Sequence, residues 1–423
     1  MKESPYPLEK FLGMRYYASD TPGTGGRLRE RAEDFAVDEV FAAPGDEGPY
    51  LVCRLTKRNW EMQRAAREIA RQLGISHRRV SWTGTKDTHA LTTQLIAIYG
   101  VRENDIARVT LGDIEIVPVG RSQQPLSLGG HEGNRFSITI RDTRSSDPGR
   151  ELAEVAETCR QGIPNYFGIQ RFGVARPVTH LVGLHILKGD LEGAVTCYIG
   201  RACPGEDPAV REARGEFLSS RDPAAALRSF PVTLSYERAM LHHLVSHPGD
   251  YRGALCSLPP RLLSLFVSAF QSHLFNCTVS SRMERLGDDF RIPHAGDRLL
   301  FSDGKEDVVS SPMLQAARTM ASRGRCRVAI MVPGSRPVQP AGEDDSAMAL
   351  LLARHGISPE DFARASEIVG TRYNGALRPA VLSTDVAWTV AGKDVTLTFS
   401  LGPGSYATTV CREFMKADPA SMV

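Results

Sequence analysis

Lysine is scarce in this chain: of 51 basic residues, 8 are lysine and 43 are arginine. The net charge is only +2 over 423 residues, so the whole does not announce a nucleic-acid binder. Arginine suits bidentate phosphate contacts and stacking on bases, and a binder of this composition needs a local basic groove. A genome-wide codon bias explains the same ratio. Paired cysteines are also missing. Eight are scattered from Cys53 to Cys411 and none forms a CxxC pair. That argues against a zinc or redox centre and for reduced, mostly buried thiols. No window reads as an apolar run of membrane-spanning length. The opening Met1-Lys2-Glu3-Ser4-Pro5-Tyr6-Pro7 lacks the apolar core of a secretory signal, so the expected compartment is the cytoplasm. No strand leads into Gly23-Thr24-Gly25-Gly26 and no Gly-Lys-Ser/Thr follows it, which excludes a dinucleotide or P-loop fingerprint. His242, His243 and His247 have no carboxylate at ligand spacing and read as a surface helix end.

What is present is a globular composition, 42% hydrophobic and 24% charged, in a chain long enough for two domains. Glu33 to Val40 and Tyr50 to Thr56 read as strands. Asn59 is placed to cap a helix over Trp60 to Leu73, with Met62, Ala66, Ile69 and Ala70 at helical spacing and Gly74 closing it. Asp113 to Val119 and Asn134 to Arg141 alternate as strands. Asp147-Pro148 starts a helix striped by Leu152, Val155 and Cys159 and ending at Gly162. Near the C-terminus Val395, Leu397 and Phe399 alternate, Gly402-Pro403-Gly404 breaks the strand, and Ser405 caps a helix through Lys416. The two ends of the chain thus look like parts of one sheet. Between them, from about Pro164 to about Pro379, the pattern is mainly helical. The expectation is an α+β domain interrupted by an insertion.

One segment carries more than architecture. Gly84-Thr85-Lys86-Asp87-Thr88-His89-Ala90-Leu91-Thr92-Thr93-Gln94 is a polar loop between Val80-Ser81-Trp82-Thr83 and Leu95-Ile96-Ala97-Ile98-Tyr99. A solitary Asp on a tight hairpin connection is placed to act as a nucleophile or general base. With Gly84 alone for company, Asp87 reads first as a turn aspartate.

Three further segments give it company: Gly133-Asn134-Arg135-Phe136-Ser137-Ile138, Pro164-Asn165-Tyr166-Phe167-Gly168-Ile169-Gln170-Arg171-Phe172-Gly173, and Gly404-Ser405-Tyr406-Ala407-Thr408-Thr409-Val410-Cys411-Arg412-Glu413. Their order and content resemble the TruD family of tRNA pseudouridine synthases, in its archaeal form. Pro22-Gly23-Thr24-Gly25-Gly26-Arg27-Leu28-Arg29 and the strand from Glu33-Asp34-Phe35 fit as well.

The resemblance implies a fold: a pseudouridine synthase core with an antiparallel or mixed sheet and flanking helices, formed by residues 1–163 plus 380–423. A large, mainly helical α/β insertion domain would occupy 164–379, with tRNA bound between the two. It implies isomerisation of a uridine, by resemblance uridine 13 of tRNA, with Asp87 as the one catalytic carboxylate and no metal or other cofactor. The carbon that Asp87 attacks stays open. By position, Phe35, Asn134, Phe136 and Tyr406 would surround the uracil, since a flipped base needs aromatic faces and an amide edge. Arg29 and Lys86 are the cations that would hold the carboxylate ionised or contact phosphate. The family often carries Lys where Arg29 stands, and some members carry Phe where Tyr406 stands. No membrane and no obligate protein partner are expected. The alternative is a non-catalytic RNA-binding protein that has kept the fold.

Overall fold

The computed structural model describes residues 1–127, 129–145 and 148–422; Asp147, expected to begin a helix, lies outside them. The chain divides into two compact units: residues 19–162 with 383–423, and residues 1–18 with 163–382.

The first unit is built on one mixed sheet. Its strands are β1 (Phe35–Val40), β2 (Tyr50–Arg58), β3 (Val80–Trp82), β4 (Leu91–Tyr99), β5 (Ile114–Ser122), β6 (Gly133–Ile140), β7 (Val386–Ala391) and β8 (Asp394–Leu401). They run in the order β7-β8-β6-β1-β4-β2-β5, with β3 paired to β4 off that path. The C-terminal hairpin therefore joins the N-terminal strands in one sheet. Most pairs are antiparallel, but β1 and β4 run parallel, with Val37 opposite Thr92. Helix α1 (Met62–Leu73) lays Met62, Ala66, Ile69 and Ala70 onto Leu51, Cys53, Leu55, Ile96 and Ile98. Each fully buried aliphatic of that size stabilises by about 1.5–3 kcal/mol. Helix α2 (Pro148–Gln161) buries the expected stripe of Leu152, Val155 and Cys159.

Two helix caps differ from the expectation. The α1 cap is Glu61, whose carboxylate accepts from the Gln63 and Arg64 amides at 2.9 and 2.7 Å. Asn59 instead adopts a left-handed φ of 57° and gives its side chain to His89. At the C-terminal helix, α4 (Ala407–Met415), the cap position is Tyr406 rather than Ser405.

The second unit centres on α3 (Pro260–Leu286), a 27-residue helix. It overturns the reading that no window has membrane-spanning character: its best 18-residue window has a mean hydropathy of 1.3 and passes by length and composition. Two-thirds of that window is nonetheless buried inside the unit. Its dispersed polar residues carry the internal wiring. Gln271 donates to the Pro333 carbonyl, and Asn276 bonds the Phe167 amide and carbonyl. The same helix captures the N-terminal segment. Asn276 donates to the Leu12 carbonyl at 3.1 Å, and Ser280 to that of Gly13 at 2.6 Å. At Gly13, with φ of 81°, a Cβ would lie 2.8 Å from the Cys277 sulfur, so only glycine fits. Residues 1–18, expected with the sheet, are grouped with the insertion by these bonds. A four-stranded antiparallel sheet completes the unit, formed by Arg298–Phe301, Glu306–Val308, Cys326–Val332 and Ala376–Pro379.

Candidate active site

Strand register decides what lies beneath the Asp87 loop. Residues opposite one another share a face, so Phe35, Val37 and Glu39 of β1 align with Thr92 and Gln94 of β4, and these with Leu55 and Lys57 of β2. Under α1 that face is apolar. Under the loop it turns polar, and Lys57, Thr92, Gln94 and Glu39 are all buried. Because β1 and β4 are parallel, their starts meet at one end of the sheet, beside the end of β2. The 83–90 connection of the β3–β4 hairpin crosses this junction.

Each part of the loop is tied to that face. Gln94 donates to the Gly84 carbonyl at 2.9 Å. Thr83 donates to the Glu39 carboxylate, and the Lys86 ammonium meets its other oxygen at 2.6 Å. The Lys57 ammonium donates to the main-chain carbonyls of Trp60 at 2.7 Å and Asp87 at 3.2 Å. Burial depresses Lys57 from its ordinary 10.5 to about 8, against the attraction of Asp87 and Glu61.

Asp87 itself is 53% exposed at its side chain, and Oδ2 accepts from the Arg29 guanidinium at 2.6 Å. Arg29 is 8% exposed and also donates to the His89 carbonyl at 3.0 Å. Its guanidinium carbon lies 3.8 Å from the centre of the Phe35 ring. The backbone of Arg29 takes a left-handed φ of 61°, and its carbonyl meets the His89 ring at 3.1 Å, while the other ring nitrogen meets Asn59. An arginine locked from above and below thus presents a carboxylate to solvent.

Of the residues singled out in sequence, the structure joins Arg29 to Asp87 and Phe35 to Arg29. Lys86 is directed to Glu39 and not to the Asp87 carboxylate. Phe35 and Phe136 are 2% and 7% exposed and pack edge to face, with Phe136 stacked on Phe399. Asn134 lies opposite both Glu39 and Leu401 in the ladder. Its amide nitrogen is 3.4 Å from a His131 ring nitrogen. Its buried Oδ1 has no protein partner among the described residues, and neither do Thr92 Oγ1, Gln94 Oε1 and Arg29 Nε. Such atoms cost about 1–3 kcal/mol each when left unpaired, so each calls for a water or a ligand as its partner. Tyr406 follows β8 and is half-buried. Sequence reasoning missed Lys57, Glu39 and His89. The one visible signal was a lysine at an inward position of the β2 alternation.

Comparison with known proteins finds relatives along nearly the whole chain. A family model for tRNA pseudouridine synthase D (TruD) matches residues 11–414. A probable tRNA pseudouridine synthase D of Natronomonas pharaonis is 39% identical, with 100% of both chains covered. One from Methanococcoides burtonii is 36% identical over 98% of each chain. The crystal structure of a Methanosarcina mazei protein assigned as tRNA pseudouridine synthase D (TruD) superposes with a TM-score of 0.84 at 35% identity, covering 99% of this chain and 100% of that one. Fold and relatives together define a class, the isomerases that modify uridine in tRNA. The chain belongs to the tRNA pseudouridine synthase D (TruD) family.

Proposed function

We propose that this chain converts uridine 13 of tRNA to pseudouridine, with Asp87 as its single catalytic carboxylate. The position in tRNA rests on the family resemblance. The assignment of Asp87 rests on one observation above all: an exposed carboxylate held at 2.6 Å by an arginine that is itself almost wholly buried. An exposed ion pair on flexible side chains contributes little. Here the cation is immobilised by Phe35, the His89 carbonyl and its own strained backbone, so the carboxylate is positioned before substrate arrives.

The reaction is an isomerisation and needs no second substrate. The C1′–N1 bond opens, the base rotates, a C1′–C5 bond forms, the C5 proton leaves and N1 gains one. Asp87 acts as nucleophile on the ribose or the uracil ring, or assists glycal formation. Asn134 Oδ1 supplies an acceptor suited to the N3–H of uracil. Tyr406 supplies an aromatic face for a base taken out of its stack. Phe35 and Phe136 act through packing, the first under Arg29 and the second two residues along from Asn134 on the same face of β6, between Phe35 and Phe399. Lys86, neutralised by Glu39, fixes the loop.

Asp87→Asn and Asp87→Ala are expected to abolish pseudouridine formation on tRNA, read by mapping the modified position, while tRNA affinity persists. Turnover near that of the parent in either variant would exclude Asp87. Absence of pseudouridine with the unaltered chain would favour a non-catalytic RNA-binding protein.

A further inference from the structure

Beneath the Asp87 loop lies a buried charged group that the reaction scheme does not use. Lys57 is fully buried. Its ammonium touches the carbonyls of Trp60 and Asp87, both neutral, and no carboxylate lies within ion-pair distance among the described residues. Charged groups do face it: Asp87 and Lys86 from the loop, and Glu61 ahead of α1, the two acids attracting and Lys86 repelling. None of them neutralises it by contact. A chain selected only to fold would gain by placing an apolar residue of similar volume here. The cation is retained at a cost, directly beneath the main chain of the residue read as reactive.

We propose that Lys57 is a positioning residue for the Asp87 carboxylate: it clamps the Asp87 main chain to β2 and keeps an uncompensated positive charge under the reaction site. The charge has a chemical use. When C1′–N1 opens heterolytically, the electron pair stays with N1 and the base carries negative charge until C5 joins C1′. Fixed positive charge in a water-poor site stabilises that separation without reorganisation. The clamp has a geometric use, because displacement of a reacting group by an ångström costs about a hundredfold in rate. The inference rests on the reading of Asp87 given above.

Lys57→Met keeps the volume and removes both the donor and the charge. Pseudouridine formation is followed in a single turnover at saturating protein, alongside tRNA affinity and thermal midpoint. The expected result is a rate lower by about a hundredfold, tRNA Kd unchanged, and a midpoint equal to or above that of the parent. A rate within about threefold of the parent, by the same scale, overturns the proposal. So does a rate loss that vanishes at saturation, which would make Lys57 a binding residue. A rate loss accompanied by a fall in the thermal midpoint also overturns it, since a structural lysine behaves that way. Asp87→Asn run in parallel separates the two readings. If it is active, the Asp87 assignment fails; if it is inactive while Lys57→Met is unimpaired, only the Lys57 inference fails.

Discussion

Each of the two units buries a long cation completely, and the two are treated in opposite ways. Arg282, in the second unit, places all five of its N–H donors. Two meet Asp297, one meets Asp344, and two meet the Phe290 and Ile292 carbonyls, at 2.6–3.0 Å. Its charge is neutralised by contact, and Arg285 helps by bonding the far oxygen of Asp344. Lys57, in the first unit, meets carbonyls alone. The first arrangement joins α3 to two flanking segments and does nothing else visible. The second leaves a charge unspent next to an exposed carboxylate. Burial of a charge therefore does not by itself reveal its purpose. Whether an anion accompanies it does.

The largest effect expected from this contrast is at Arg282. Arg282→Met strands the buried Asp297 and leaves Asp344 with Arg285 alone, and breaking a buried pair from one side costs about 3–5 kcal/mol. Denaturant unfolding of the second unit is expected to shift by that amount. Lys57→Met, which strands no charge, is expected to leave stability equal or raised. Equal losses in the two variants would erase the distinction.

A pH series sharpens it further. Lys57 titrates near 8 when folded and near its ordinary 10.5 when unfolded. Between those values the unfolded chain binds the extra proton, so this group makes folding more favourable as pH rises from about 8 to 10.5. The full rise is on the order of 3 kcal/mol. It is read as the difference in unfolding free energy between the parent and Lys57→Met across that window, which cancels groups common to both. A constant difference would mean that the ammonium is solvated in the fold.

Much of the sheet was legible because alternation and capping are local. The stripe of α1, the β3–β4 hairpin and the inward residues Phe136, Val395 and Leu397 all follow from periods of 3.6 and 2. Asp87 was legible as a solitary acid on a tight connection. Side-chain destinations were not, because they depend on register. Nothing near Lys86 in sequence announces Glu39, which is 47 residues away. Nothing near Asn59 shows that His89 would draw it from the helix cap. The parallel pairing of β1 with β4 brings Arg29, Asp87 and Lys57 to one end of the sheet, and no single segment encodes it. The same holds for residues 1–18, whose partners on α3 lie more than 260 positions away.

The smallest effect tests whether the charges around Lys57 are coupled as described. Glu61 caps α1 through two amides and is also one of the anions that raise Lys57. Glu61→Ala removes both contributions, and the lost cap alone costs about 1 kcal/mol. Glu61→Gln keeps an oxygen that accepts from the helix amides but carries no charge, so most of the cap survives. Both variants withdraw an anion from a buried cation, which lowers the folded titration of Lys57 below about 8 and leaves its unfolded value in place. The pH-dependent rise should therefore begin earlier and grow larger in both, while only Glu61→Ala loses stability at neutral pH. If the onset stays where it was in both, Glu61 does not feel Lys57. The cation beneath Asp87 would then face only the loop that carries Asp87 and Lys86.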